Sequence, residues 1–258
     1  MSERNGQAQW LVHGHCPRPR ARLYCFSHAG GDASAFHPWQ AVLAPEIQVC
    51  AARLPGRGSR FCERPCTSWD VPVAAIADEI ACDGTPFWLL GHSMGALMAY
   101  EVARRLVASR MKTPAGLIVS GCEAPTRLRP KRLHTALDDD GLIQALGRFN
   151  GVPPEVLQHR ELMKLVLPTL RADLAMVEGY RHAPGLKLGL PIEVLAGTSD
   201  PLVDSAGLDG WSEATTGTCR VHWIDGDHFF INSQRGTVLR LIRQCLTPPV
   251  ECASHPGA

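Results

Sequence analysis

The chain has 258 residues, enough for one large α/β domain or two small ones. Hydrophobic residues make up 45% of it and charged residues 20%, which is the composition of a globular protein that can bury a sizeable core. The 26 basic and 25 acidic residues leave a formal net charge of +1, so we expect neither a nucleic-acid partner nor a membrane partner.

The first residues of the chain and the pattern of its cysteines indicate the cellular compartment of the protein. Residues 1–9 are polar and lack the apolar core of a signal peptide. No apolar run approaches the ~18 residues that a membrane span needs, so we expect a cytoplasmic protein. The 10 cysteines are scattered without a C-x-x-C pair, which predicts reduced thiols, no disulfide and no metal site.

Apolar runs rich in β-branched or aromatic residues alternate with helix-like stretches. The runs cover residues 22–27, 47–54, 87–90, 116–120, 192–196 and 220–224, and the helix-like stretches cover residues 71–82, 94–107 and 233–245. This alternation predicts an α/β fold with a mainly parallel sheet and helices on both faces. In such sheets, chemistry takes place at the carboxyl ends of the strands.

One region, from about residue 131 to residue 182, breaks the alternation. It contains no strand-like run, whereas residues 138–147 and 160–180 have the apolar spacing of helices, and Pro168 is expected to bend the second helix. We interpret the region as a helical lid inserted into a single domain spanning residues 1–258. The alternative is that these helices pack elsewhere on the sheet, because spacing does not determine where they dock.

The motif Gly91-His92-Ser93-Met94-Gly95 has the G-x-S-x-G pattern of a nucleophile elbow. It lies between a strand-like run and a helix-like stretch, where such an elbow is expected. Glycines are needed in the sharp turn because a Cβ there would collide with neighbouring backbone. The motif predicts that Ser93 is a nucleophile and that the Met94 N–H faces a developing oxyanion. His92 fills the variable position and needs no chemical role.

A serine nucleophile requires a histidine base and an acid that orients it, in the chain order Ser, Asp or Glu, then His for this fold class. Of the 11 histidines, His228 comes after Ser93 and just beyond the last strand-like run. Asp200 directly follows the preceding run, so it lies at a different strand end, as converging side chains require. Asp204 stays open as the alternative acid.

A second oxyanion donor is expected in the loop Ser27-His28-Ala29-Gly30-Gly31, after the first strand-like run. Its glycines allow the backbone to approach a ligand closely, and we assign the donor role to the Ala29 N–H. His28 precedes Ser93 in the chain, so we expect it to be structural.

Five stretches of the chain together resemble a known family. They are Phe26-Ser27-His28-Ala29-Gly30-Gly31, Leu54-Pro55-Gly56-Arg57-Gly58-Ser59-Arg60, Gly91-His92-Ser93-Met94-Gly95-Ala96, Gly197-Thr198-Ser199-Asp200-Pro201 and Gly226-Asp227-His228-Phe229-Phe230. They resemble the type II thioesterases that accompany polyketide synthases and nonribosomal peptide synthetases. The Pro-Gly-Arg-Gly-x-Arg block is the discriminating one, because lipases and general esterases share only the elbow. The resemblance spans about residues 21 to 245.

The resemblance implies an α/β-hydrolase fold and an enzyme that removes acyl groups from the phosphopantetheine arm of acyl or peptidyl carrier proteins, without a cofactor of its own. Carrier proteins are generally acidic, so basic side chains are candidates for docking them. These candidates are Arg53, Arg57 and Arg60 in one group and Arg127, Arg129, Lys131 and Arg132 in another. The alternative for Arg57 is that it braces its own loop.

Two other classes of function stay open. The same triad passes an acyl group to whichever nucleophile enters, so the chain is alternatively an acyltransferase or a small-ester hydrolase. A catalytically silent binding module of this fold is the third hypothesis, although such a protein is expected to have lost Ser93, Asp200 or His228.

Overall fold

The computed structural model describes residues 9–80, 84–110, 112–128, 135–147, 157 and 159–247. Within them, seven strands form one sheet in the order β1-β3-β2-β4-β5-β6-β7. The strands are β1 (Leu11–His13), β2 (Ala21–Phe26), β3 (Ile47–Ala52), β4 (Phe87–His92), β5 (Gly116–Ser120), β6 (Ile192–Gly197) and β7 (Cys219–Ile224). The pairing of β1 with β3 is antiparallel and the other pairings are parallel, which confirms the predicted sheet.

Helices connect most of the strands. In the described part of the chain they are α1 (His37–Leu43), α2 (Asp70–Glu79), α3 (Met94–Ala108), α4 (Asp139–Gly147), α5 (Arg160–Gly179), α6 (Ser205–Asp209), α7 (Phe230–Ser233) and α8 (Arg235–Leu246). The sequence did not predict β1 or α1, because β1 has only 3 residues and α1 only 7. Neither is long enough to show a clear periodicity. The strand predicted at residues 47–54 ends at Ala52.

The core has one layer on each face of the sheet. Side chains alternate along β2, so that Tyr24 and Phe26 pack with α2 and α3. Leu23 and Cys25 point the other way and pack with α1 and α8. With helices on both faces, the ends of the strands are left as the places where loops converge.

The predicted helical insertion is represented by α4 and α5, which lie between β5 and β6 in the chain. Helix α5 continues through Pro168. It lies over the loops that follow β2 and β3, where Thr169 Oγ1 donates a 2.7 Å hydrogen bond to the Gly56 carbonyl. Near its end, the Trp69 indole N–H donates a 3.0 Å bond to the Met176 carbonyl. Helix α5 therefore docks at the carboxyl edge of the sheet, and its action as a lid stays a prediction.

Candidate active site

The G-x-S-x-G motif forms a strained turn between β4 and α3. Ser93 has φ 55° and ψ −119°, in a left-handed region that residues other than glycine rarely adopt. A Cβ on Gly91 would lie 1.9 Å from the Gly95 carbonyl oxygen, and one on Gly95 would lie 2.1 Å from the Phe26 carbonyl oxygen. Both glycines are therefore required by close backbone contacts. Met94 is the first residue of α3, where helical N–H groups have no acceptor within the helix.

Asp200 and His228 are joined at the ends of β6 and β7. The His228 Nδ1 donates to Asp200 Oδ2 over 2.8 Å, and the two side chains are only 5% and 0% exposed. The other carboxylate oxygen of Asp200 accepts a 2.9 Å bond from the Leu202 N–H. Asp204, the alternative acid, instead caps α6 by accepting a 2.6 Å bond from the Gly207 N–H. The structure thus pairs the histidine with Asp200.

Close packing of two loops produces this pairing. The Ser199 N–H donates a 2.9 Å bond to the Gly226 carbonyl, which ties the loop after β6 to the loop after β7. A Cβ on Gly197 would lie 2.6 Å from the Asp227 carbonyl oxygen, so only glycine allows the two loops to approach this closely.

His92 lies beside His228, a placement that the sequence did not predict. Their ring centroids are 5.1 Å apart, and His92 Nδ1 is 3.0 Å from Ser120 Oγ. Burial holds the pKa of His92 well below its usual range, and positive charge on His228 lowers it further. A neutral imidazole therefore lies against His228. Because His92 directly precedes Ser93, this contact also brings the elbow and the His228 loop together.

The predicted oxyanion loop is a tight turn after β2. The Gly31 N–H donates a 2.9 Å bond to the His28 carbonyl, and Gly30 has φ 76°. The His28 ring packs 5.0 Å from the ring of Phe229. Burial lowers the pKa of His28 to about 4, and positive charge on His228 and Arg57 contributes to the lowering. The neutral, packed ring agrees with the structural role expected for His28.

Arg57 forms a buried ion pair with Asp173 of α5. Its two terminal nitrogens each donate a 2.7 Å bond to one carboxylate oxygen, and the side chains are 6% and 1% exposed. We did not predict a functional role for Asp173 from the sequence. The signal for such a role was the position of its carboxylate on the apolar face of the predicted helix, next to Leu170 and Leu174, where a buried charge requires a partner.

The docking interpretation is wrong for Arg57 and Arg60, because both guanidinium groups are buried inside the chain. Arg60 is 7% exposed, lies 4.3 Å above the Trp10 ring and bonds both carboxylate oxygens of Glu63. A partner surface cannot reach such groups.

The remaining docking candidates stay predictions. Arg53 is half-buried and donates a 3.0 Å bond to Ser59 Oγ. Arg127 is 53% exposed and forms an ion pair with Glu213. Arg129, Lys131 and Arg132 lie outside the described residues.

The described residues contain neither a metal-binding cluster nor a membrane-spanning helix. No group of three or more His, Cys, Asp or Glu side chains among them is arranged to hold a metal ion. None of the described helices combines the length and the apolar character that crossing a membrane requires.

The chain is similar to known thioesterases over most of its length. A family model for the thioesterase domain matches residues 21–246. The gramicidin S biosynthesis protein GrsT of Aneurinibacillus migulanus is 36% identical over 248 residues, which cover 94% of this chain and 97% of that protein.

Solved structures of type II thioesterases share the fold. BorB, a type II thioesterase from the borrelidin biosynthetic cluster, superposes with a TM-score of 0.83 at 34% identity, covering 92% of this chain and 97% of BorB. RedJ, a thioesterase from the prodiginine pathway of Streptomyces coelicolor, superposes with a TM-score of 0.82 at 34% identity, covering 91% and 90%. The fold is the predicted α/β-hydrolase fold, and the chain belongs to the thioesterase family, among the type II thioesterases associated with polyketide synthases and nonribosomal peptide synthetases.

Proposed function

We propose that this thioesterase hydrolyses acyl groups from the phosphopantetheine arm of acyl or peptidyl carrier proteins, using Ser93, His228 and Asp200 as a catalytic triad. The observation that carries the proposal is the buried 2.8 Å bond between His228 and Asp200, on a loop packed against the strained turn that holds Ser93. The triad and the oxyanion donors supply the whole reaction, so the proposal includes no cofactor belonging to the enzyme.

Acylation begins with attack of Ser93 Oγ on the thioester carbonyl carbon. The hydroxyl proton passes to Nε2 of His228, because Nδ1 is held by the Asp200 carboxylate. Asp200 is buried, so its negative charge faces the imidazolium with little screening by solvent. The tetrahedral oxyanion is received by the N–H groups of Ala29 and Met94, the latter at the positive end of the α3 dipole.

Collapse of this intermediate breaks the carbon–sulfur bond and releases pantetheine, with the His228 proton passing to sulfur. A thiol with a pKa of about 8.5 needs less help from an acid than an amine does, so this departure is easy. Water then attacks the acyl-serine carbonyl while His228 takes its proton. The bond between the acyl carbon and Ser93 Oγ then breaks, the proton on His228 passes to Oγ, and the free acid leaves.

We also propose that the acyl group is presented by a carrier protein and that the enzyme works in the cytoplasm. Support for the substrate comes from the relatives, whose names place them in biosynthetic pathways: GrsT in gramicidin S biosynthesis and BorB in the borrelidin cluster. The exposed Arg127 is the described docking candidate with the most accessible side chain.

The experiment is to follow an acylated carrier protein by intact mass during incubation with the enzyme. We expect the wild type to remove the acyl mass and leave the phosphopantetheine arm, and Ser93→Ala to lower turnover by about 10⁴-fold or more. Ser109→Ala is the matched control, because Ser109 lies exposed at the other end of α3 and bonds only carbonyls of that helix. Near-normal turnover by Ser93→Ala would contradict the nucleophile assignment.

The same assay separates the alternative functions. An acyltransferase moves the acyl mass to an added thiol or amine instead of to water. A small-ester hydrolase cleaves simple esters while leaving the carrier protein acylated. A silent binding module leaves the mass unchanged with every acyl group and forms no acyl-serine.

A further inference from the structure

We propose that Arg57 and Asp173 are positioning residues for the oxyanion hole, so that the hole is complete only while α5 is docked. This inference rests on the proposed function, because it assumes that the Ala29 N–H receives the oxyanion. It gives α5 a role in the chemistry itself, beyond covering the site.

The ion pair holds the oxyanion loop at the two residues that follow Ala29. Asp173 Oδ2 accepts a 2.7 Å bond from the Gly30 N–H, in addition to its bond from Arg57. Arg57 in turn donates a 3.1 Å bond to the Gly31 carbonyl. The bond from the Gly31 N–H to the His28 carbonyl restrains the peptide group that carries the Ala29 N–H, and the ion pair restrains the peptide groups that follow it.

The loop needs such external restraint because glycine is flexible. Gly30 and Gly31 adopt a wide range of backbone angles at little cost, so the tight turn does not by itself fix where the Ala29 N–H points. An oxyanion hole works only when its donors are already aimed at the developing charge. The ion pair supplies this alignment through direct bonds to the loop backbone.

The location of the carboxylate links the loop to α5. Asp173 lies 116 residues from Arg57 in the chain and belongs to α5, whereas Arg57 lies in the loop after β3. If α5 moves away, the Gly30 N–H and the Arg57 guanidinium both lose the Asp173 carboxylate. Undocking of α5 therefore releases the oxyanion loop.

Stability alone does not account for a charged pair at this position. Burying two charges carries a large desolvation cost, and replacing a buried pair with apolar residues of similar volume is often neutral or stabilising. Arg57 and Asp173 are nevertheless buried almost completely. Their contacts with the backbone of Gly30, Gly31 and Pro55 are the feature that apolar residues would not reproduce.

The test compares two carboxylates of α5, Asp173, which contacts the oxyanion loop, and Glu161, which lies exposed and pairs within the helix. Asp173→Asn disturbs the contact with Arg57 and Gly30. Glu161→Gln is the matched control, because it makes the same carboxylate-to-amide change at an exposed residue of α5 that pairs with Lys164 of the same helix. Each variant is assayed with an acyl-pantetheine thioester for kcat and KM.

Two inhibitors distinguish alignment from simple loss of structure. A trifluoromethyl ketone analogue adds to the serine and places an oxyanion in the hole, whereas a thioether analogue binds without forming one. For Asp173→Asn we expect kcat to fall by about 10- to 100-fold, with trifluoromethyl ketone affinity falling in proportion and both KM and thioether affinity changing little. Glu161→Gln is expected to keep the wild-type kcat and both affinities.

A second variant covers the case in which Asp173→Asn does not fold, since it leaves the Arg57 charge buried without its carboxylate. The double variant Arg57→Met, Asp173→Leu replaces the pair with apolar side chains, and its folding is checked by circular dichroism. We expect it to fold and to show the same selective loss of kcat and of trifluoromethyl ketone affinity. A folded double variant with wild-type kcat would overturn the inference, as would an equal loss in Glu161→Gln. Ser93→Ala, run alongside, reports separately on the proposed function.

Discussion

Replacing Gly95 with alanine tests how the elbow and the oxyanion loop are spaced. The added Cβ would lie 2.1 Å from the Phe26 carbonyl oxygen, 2.5 Å from the Phe26 carbonyl carbon and 2.7 Å from the Ser27 carbonyl oxygen. All three atoms belong to the backbone at the end of β2, where the oxyanion loop begins, so no side-chain rotation can relieve the clash. Helix α3 and the loop must separate by about 1 Å to restore an ordinary contact.

That separation moves the Met94 N–H away from the Ala29 N–H. A misplacement of about 1 Å in a catalytic arrangement can cost about 10²-fold in rate, so we expect kcat of Gly95→Ala to fall by about that factor. Overpacking of this kind also lowers the free energy of unfolding by about 1–3 kcal/mol. The assays are thioester hydrolysis and unfolding in urea, each under conditions where the variant is folded.

Gly179→Ala is the matched control for this substitution. Gly179 is the last residue of α5, and a Cβ added there meets no atom within 4 Å. We expect this change to leave kcat unaltered and to raise the free energy of unfolding by up to about 1 kcal/mol, because alanine favours the helix. A Gly95→Ala enzyme with wild-type kcat would refute the reasoning, since it would show that the elbow and the loop tolerate a wider spacing.

Further predictions concern the acid, acid stability and the thiols. Asp200→Asn is expected to lower kcat by about 10⁴-fold because it stabilises the wrong tautomer of His228, whereas Asp204→Asn is expected to keep the wild-type kcat. A larger loss of kcat in Asp204→Asn than in Asp200→Asn would contradict the pairing of His228 with Asp200. The pKa of His28 is about 4 when folded, against an ordinary 6.5, so the unfolded chain binds more protons between these values. Protonation of His28 is therefore expected to lower the free energy of unfolding by about 3 kcal/mol as pH drops from about 6.5 to about 4. In urea titrations, the free energy of unfolding of His28→Gln should fall less over this pH range than that of the wild type. Iodoacetamide should label the exposed Cys62 in the native protein and leave Cys50 unmodified, because burial raises the pKa of the Cys50 thiol to about 12; native labelling of Cys50, read by peptide mass, would count against this.

The sequence alone predicts the parts of this protein that depend on neighbouring residues. The alternation of apolar runs and helical spacing indicated the parallel sheet, because side-chain periodicity follows directly from backbone geometry. The elbow was recognisable from adjacent residues, since Gly91 permits a close contact with the Gly95 backbone within the turn, although Gly95 itself makes room for the Phe26 backbone on another strand. Short elements such as β1 and α1 were missed because 3 and 7 residues carry too little pattern.

Only the tertiary structure decided which long-range partners meet. Asp200 and Asp204 both follow β6, and the choice between them depends on how the loop after β6 packs against the loop after β7. The sequence could not distinguish whether Arg57 docks a carrier protein or braces its own loop. The fold decided this by placing Asp173 of α5 beside Arg57. A buried charge requires an oppositely charged partner, which need not be near it in the sequence. The partner of Arg57 lies 116 residues away in the chain. Local sterics and periodicity are encoded in adjacent residues, whereas the pairing of buried charges is determined by the packing of distant segments.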